Sequence, residues 1–155
     1  MPTAYLTAAD YTAYLGAYGI GATPSQDQAA ALANTIVEAT TGPHTLTGTF
    51  AVLVAANGIT VNSLQRVILE GQITATNMAP GLSGQLHLEL EMDGVPISAD
   101  VIQSCDLNGT GVTANWKLAF VPPAGVHNFT LSAKGTGDNT LAVAAGAAFL
   151  YVVLT

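Results

Sequence analysis

Three histidines, ten carboxylates and one thiol are the groups in this 155-residue chain with chemistry to offer, and their spacing sets what that chemistry can be. His87 is followed at alternate positions by Glu89 and Glu91, which puts all three on one face of a strand. Alternate strand positions are about 7 Å apart, so these carboxylates share a cation only if another loop adds ligands, and no EF-hand spacing accompanies them. A solvated polar face is the expectation. His44 and His127 fall in other elements, and a three-histidine metal site would need all three to converge with matching outer partners. Neither a metal nor a cofactor is expected. Cys105, within Ile102-Gln103-Ser104-Cys105-Asp106, has no His or Lys beside it to lower its pKa, and reads as an inert, strand-packed thiol.

Asp93, Asp100, Asp106 and Asp138 sit among Gly, Asn, Ala and other turn residues, where Asx chemistry accounts for them. Nothing orders two of them across a cleft in the way glycoside hydrolysis needs. GxSxG, HExxH, P-loop and GxGxxG patterns are missing. The segment Gly16-Ala-Tyr-Gly-Ile-Gly21 follows a helix rather than a strand and reads as a hinge. Asn108-Gly-Thr110 and Asn128-Phe-Thr130 match the glycosylation triplet, but Met1-Pro2-Thr3-Ala4 does not open a signal peptide, so the triplets read as chance. Trp116 shares an alternating face with Leu118 and Phe120, which points to the core rather than to a sugar platform. The chain reads as a non-enzyme.

The elements that carry these residues have two textures. Residues 1–42 read as a helical arm. Thr7-Ala-Ala-Asp10 caps a short helix to about Leu15, and Pro24 or Ser25 opens a second whose body, Ala29 to Glu38, is stopped by Gly42-Pro43. Residues 43–155 read as strands. Gln85-Leu-His-Leu-Glu-Leu-Glu-Met92 alternates throughout, Asp93-Gly94 is a hairpin turn, and Val112 to Phe120 repeats the alternation up to Pro122-Pro123-Ala124-Gly125. Further strands are expected at about 46–55, 59–62, 66–76, 95–104, 126–133, 140–145 and 147–154. The fold class is therefore mainly β: an antiparallel sandwich or jelly roll of about eight strands behind a short helical arm.

Charge is scarce. Thirteen residues of 155 carry it, 8% against the roughly 25% of an ordinary soluble domain, and half the chain is hydrophobic. Three basic residues against ten acidic ones leave a net charge of −7, too little positive charge for direct nucleic-acid binding. The uncharged stretch 139–155 is barely long enough to cross a membrane and contains Asn139, Thr140 and Gly146. A strand pair explains it better than a span, and no membrane partner is expected. Phe50 to Ala56 and Phe149 to Leu154 are apolar on both faces, whereas a lone sandwich should show one face of each strand to water. Phe50, Val52, Val54, Phe149, Tyr151 and Val153 are therefore the expected contacts of a homo-oligomer, a trimer by preference.

This texture resembles the auxiliary virion proteins of tailed bacteriophages, in particular capsid decoration (cement) proteins and head fibres. The segments Gly71-Gln-Ile-Thr-Ala-Thr76, Leu86 to Pro96 and Pro122-Pro-Ala-Gly-Val-His-Asn-Phe-Thr-Leu131 look like strands and turns of such modules, the last also like a turn and strand of viral and TNF-like jelly rolls. Tyr5 to Gly16 and Pro24 to Ala33 look like the opening helices of phage head-to-tail connectors, which continue as helices where this chain turns to strands. The resemblance implies a virion protein assembled in the host cytoplasm that binds a major capsid protein or another virion protein. Tyr5, Leu6, Tyr11, Tyr14, Leu15, Tyr18 and Ile20 would be its anchors, because aromatic residues dominate interface hot spots. Connector, neck or tail-fibre component is the alternative within virions, and a carbohydrate- or receptor-binding module the alternative outside them.

Overall fold

The computed structural model describes residues 35–78, 84–105, 111–137 and 141–155. The first expected helix, the second up to residue 34, and the seven anchors between Tyr5 and Ile20 lie outside the described residues. Eleven strands follow in order: β1 (Thr35–Ala39), β2 (His44–Thr45), β3 (Ala51–Val61), β4 (Val67–Asn77), β5 (Gly84–Met92), β6 (Val95–Pro96), β7 (Val101–Cys105), β8 (Gly111–Phe120), β9 (Gly125–Gly137), β10 (Leu141–Val143) and β11 (Ala148–Leu154).

The strand β1 corrects the expected helix from Ala29 to Glu38 over its last residues. Thr35, Ile36 and Val37 are three β-branched residues in a row, which lose rotamer freedom in a helix and fit a pleated ladder. A complete ladder is available, from Thr35 opposite Val153 to Ala39 opposite Phe149. Among the described residues the sandwich therefore begins at Thr35, and residues 35–39 belong to it rather than to a helical arm.

Eight longer strands make two antiparallel sheets. In the first, the order is β1-β11-β4-β8, with β10 and then β2 continuing along β4 beyond the end of β11. In the second it is β3-β9-β5-β7, with the short β6 beside the end of β5. The chain crosses between sheets at β1 to β3, β3 to β4, β4 to β5, β7 to β8, β8 to β9 and β9 to β11. This is the double Greek-key winding of a jelly roll.

Alternation decides what lies between the sheets. From β4 come Val67, Leu69, Ile73 and Ala75, from β5 Leu86, Leu88 and Leu90, from β9 Phe129, Leu131 and Ala133, and from β11 Ala148, Leu150 and Val152, all at 0% exposure. Asp93 and Gly94 turn the β5–β6 hairpin with positive φ at both positions (53° and 77°), the signature of a type I′ turn. Gly146, at φ 72°, makes the break between β10 and β11 that the sequence located there.

Two expectations about packing fail, one through a shift of register and one through position at a sheet edge. The ladder of β3 with β9 slips between Val52 and Val54, because a bulge inserts one residue. Leu53 and Val54 are consequently both buried, at 6% and 4% exposure, and Val54 belongs to the core rather than to an outer contact face. Trp116 does sit opposite Gly71 on the same side as Leu118 and Phe120. Yet β8 is the last strand of its sheet among the described residues, so the ring is only partly covered and remains 39% exposed.

Gly71 marks the tightest place between the layers. A Cβ there would stand 2.7 Å from Leu131 Cδ1 and 3.0 Å from Leu90 Cδ2. Leucine tips can yield a little to an alanine, but a branched side chain forces the layer apart. Gly71→Val is expected to lower stability by about 1–3 kcal/mol, read as an earlier urea midpoint with an unchanged slope. A midpoint equal to wild type would show that the layer has room to spare.

Candidate assembly interface and its polar surroundings

The outer face of the first sheet is where the sequence's apolar excess emerges. Reading across the ladders, Thr35, Val153, Ile68 and Ala119 form one row. Val37, Tyr151, Glu70 and Lys117 form the next, and Ala39, Phe149, Gln72 and Asn115 the third. The residues contributed by β1 and β11, together with Ile68, are half-buried. The Phe149 and Tyr151 rings stack with centroids 6.4 Å apart and planes 29° from parallel. The ion pair of Lys117 with Glu70, at 3.4 Å, decorates this face, and with both groups about half exposed or more it adds little to stability. Six apolar side chains, Val37, Ala39, Ile68, Phe149, Tyr151 and Val153, thus form one contiguous surface.

The other expected contacts go elsewhere. Val52, 51% exposed, lies opposite Ser132 on the outer side of the second sheet. Phe50, just before β3, holds the Lys134 ammonium over its ring at 4.3 Å. The expected set therefore splits into Phe149, Tyr151 and Val153 on one face, Phe50 and Val52 on the opposite one, and Val54 inside.

The sheet edges are as poor in charge as the faces. Among the described residues, β1 and β8 end the first sheet and β3 and β7 end the second. These four strands hold only Glu38 and Lys117 as charged residues. Proteins usually guard such edges with charge, proline or short strands, whereas β3 runs for 11 residues with none of the first two. A groove of about 390 Å³ opens between β1 and β3, lined by Glu38, Ala39, Thr41, Leu53, Val54, Ala55 and Asn57.

The histidines do not converge, and two of them are structural in different ways. His87, expected on a solvated face, is only 7% exposed. Its Nδ1 lies 2.8 and 3.0 Å from the Asp100 carboxylate oxygens and its Nε2 lies 3.0 Å from Thr136 Oγ1. Lys134 Nζ approaches the same carboxylate at 3.6 Å. A hydroxyl, an imidazole and a carboxylate in line have the order of a nucleophile, base and orienting acid. Here the Gly135 amide is bonded to the Thr47 carbonyl and Thr136 stands in the β5–β9 ladder opposite Gln85. The line serves as a strut that fixes the β6–β7 connection to the sheet. Glu89 beside it has its pKa raised, first by desolvation and then by the like charges of Glu91 and Asp100. Asp100 was legible only as a turn residue, because nothing in the sequence brings position 100 back to His87.

His127 is clamped between two acceptors. Nδ1 is 2.7 Å from Asp93 Oδ2 and Nε2 is 2.9 Å from the Pro123 carbonyl. Asp93 Oδ1 accepts the Asn128 amide at 2.8 Å, and Asn128 Oδ1 accepts the Gly58 amide at 2.9 Å. Three places, the β5–β6 and β8–β9 connections and a second register shift of β3 between Ala56 and Ile59, are tied at one point. Only the imidazolium donates at both nitrogens. Accordingly the His127 pKa is raised, by its bond to Asp93 and then by Pro123, and that of Asp93 is lowered, by the Asn128 amide and then by His127. Among the described residues, no group of three or more His, Cys, Asp or Glu side chains comes together in a way that could hold a metal ion.

No protein-family model matches the chain, and no curated protein matches it by sequence. Among solved structures it is similar to the infectious bursal disease virus VP2 subviral particle, at 13% identity and a TM-score of 0.49, over 77% of this chain and 32% of that one. The chain thus spans about a third of that capsid protein's length. It is also similar to the Eiger TNF of S. frugiperda, at 10% identity and a TM-score of 0.47, over 79% and 93% of the two chains. The C-terminal CBM6 of LamC, a laminarinase of Zobellia galactanivorans, follows at 13% identity and a TM-score of 0.28, over 77% and 78%.

The clamp generates a pH dependence whose sign is fixed. The raised His127 pKa gives stability that is full below the ordinary value of 6.5 and is lost as pH rises through the folded value. The lowered Asp93 pKa gives stability that is full above 3.8 and is lost as pH falls through the folded value. The difference in melting temperature between wild type and His127→Gln should therefore be largest near about pH 5–6 and shrink toward about pH 9. A difference that stays constant over that range would mean His127 is held neutral.

Proposed function

We propose that this chain is a non-enzymatic structural subunit that assembles through the outer face of its first sheet into a homotrimer, and that the trimer decorates and stabilises the shell of a tailed bacteriophage. The observation that supports this reading most is the contiguous surface of Val37, Ala39, Ile68, Phe149, Tyr151 and Val153, with the stacked Phe149–Tyr151 pair at its centre. A half-buried apolar sheet face with a surface ion pair behaves like half of a core, and obligate interfaces have that composition. The uncharged edges of β3 and β7 add surfaces that want a neighbour. Assembly accounts for a chain in which 8% of residues are charged.

The mechanism is clamping by burial. Each subunit offers the Phe149–Tyr151 pair to the next, and the opposite side of the sandwich, with Glu89, Glu91 and Asp100, faces away from that contact. Residues 1–34 reach the major capsid protein through the anchors between Tyr5 and Ile20, and three such arms on one trimer bind with high effective concentration. The arm is bounded at 34 because a cut at 42 would also strip β1 from β11. Copy number in purified particles separates shell decoration, with hundreds of copies, from a neck or tail component forming a single ring.

Introducing Phe149→Asp together with Tyr151→Asp places two charges per subunit in the interface, where each hot-spot loss costs about 2 kcal/mol or more. The double variant should sediment as a monomer and keep a β-rich circular dichroism spectrum. A variant of unchanged mass would remove this face from the assembly.

A further inference from the structure

Among the described residues, four of the eight large apolar side chains left exposed gather at one end of the sandwich: Leu64 at 88% exposure, Val126 at 66%, Val95 at 61% and Val121 at 56%. The ladders bring them there. Leu64 lies in the β3–β4 connection just before Val67, which pairs with Phe120, the residue preceding Val121. Val61 at the end of β3 pairs with Gly125, the residue preceding Val126. The turn that precedes Val95 is bonded to His127 and Asn128. Leu64 is also held at φ 65°, a left-handed conformation that is sterically unfavourable for an L-residue. Within the described residues, that cost returns no burial for Leu64.

The chain joins the sandwich at this same end. Thr35, the first residue of β1, pairs with Val153, and Thr155 exchanges both backbone bonds with Arg66, two residues beyond Leu64. The 34 residues before β1 contain only Asp10 and Asp27 as charged groups, and they carry four tyrosines with several aliphatic residues between Tyr5 and Ile20. Segment and end have the same shortage: apolar surface without enough charge to hold it in water.

We propose that residues 1–34 of this chain dock on that end, their aromatic and aliphatic side chains covering Leu64 and Val121, with Val95 and Val126 at the rim. Tethering by the peptide bond to Thr35 makes the contact intramolecular, so a small apolar patch suffices where two free molecules would need far more area. The contact stands in a monomer or a trimer alike and does not depend on the shell reading. If that reading holds, docking keeps the anchors of the arm covered until a shell competes for them.

The test uses the full chain with a photoreactive benzoylphenylalanine in place of Leu64, irradiated and then mapped by mass spectrometry. Cross-links should run from position 64 into residues 1–34. In a separate full-length variant, Leu64→Asp with Val121→Asp should speed chymotryptic cleavage within residues 1–34 about tenfold, while the sedimentation mass stays that of wild type. Chymotrypsin is the suitable protease, because the segment has tyrosines and leucines and neither Lys nor Arg. Cross-links confined to residues 35–155, whether of the same or a second copy, would overturn the docking, as would unchanged cleavage in the double variant. A change of mass alone, with faster cleavage retained, would count against the trimer face and not against this contact.

Discussion

Interdigitation of two uncharged layers is the constraint on which the rest of the structure depends. Leu69 and Ile73 from β4, Leu86, Leu88 and Leu90 from β5, Phe129 and Leu131 from β9 and Leu150 from β11 meet with no exposed surface. They can do so only because Gly71 lets the Leu131 and Leu90 tips reach the β4 backbone. Once the inward positions are fixed by this contact, the period of two fixes the outward ones as well. Phe149, Tyr151 and Val153 face outward because Ala148, Leu150, Val152 and Leu154 must face inward. The apolar outer face is thus not an accident of packing that another register could hide. It is what remains when an apolar strand has spent one of its two faces.

Polar groups are placed as fasteners around that core. The His127 clamp ties three places at the end where the chain joins the sandwich, and the His87–Asp100 pair ties the β6–β7 connection to the opposite flank. With so few charges in the chain, a large share is committed to such bonds: Asp93, Asp100, Lys134, Glu70 and Lys117 all have a charged or histidine partner. Little charge is left to solvate the first sheet or the edges of either sheet. Function enters through that shortage, since surfaces that cannot be hydrated well are the ones that gain by meeting another protein.

Local pattern was legible in the sequence, and long-range return was not. The alternation of Gln85 to Met92, the Asp93-Gly94 turn and the Gly146 break all appear where residue types alone put them, because each is decided within a few positions. The helix expected through Glu38 ends in a strand instead, because a ladder with residues more than a hundred positions away overrides weak local preference. The β3 bulge that buries Val54 leaves no mark in Ala51-Val-Leu-Val-Ala-Ala56, whose residues suit either face. Asp100 and Asp93 were readable as turn residues and unreadable as histidine partners, since they lie 13 and 34 positions from His87 and His127 and only the fold brings them together. The interface candidates share this limit: apolar composition marked the strands, and only the registers sorted Phe149, Tyr151 and Val153 from Val54.

Sedimentation equilibrium of the wild-type protein over a wide concentration range addresses the assembly directly. A subunit of 15.7 kDa that buries the face around Phe149 and Tyr151 should show three times that mass, without falling on dilution into the micromolar range. A monodisperse 15.7 kDa species that persists at high concentration would contradict it, for then the apolar face would be content in water and the shortage of charge would need another cause.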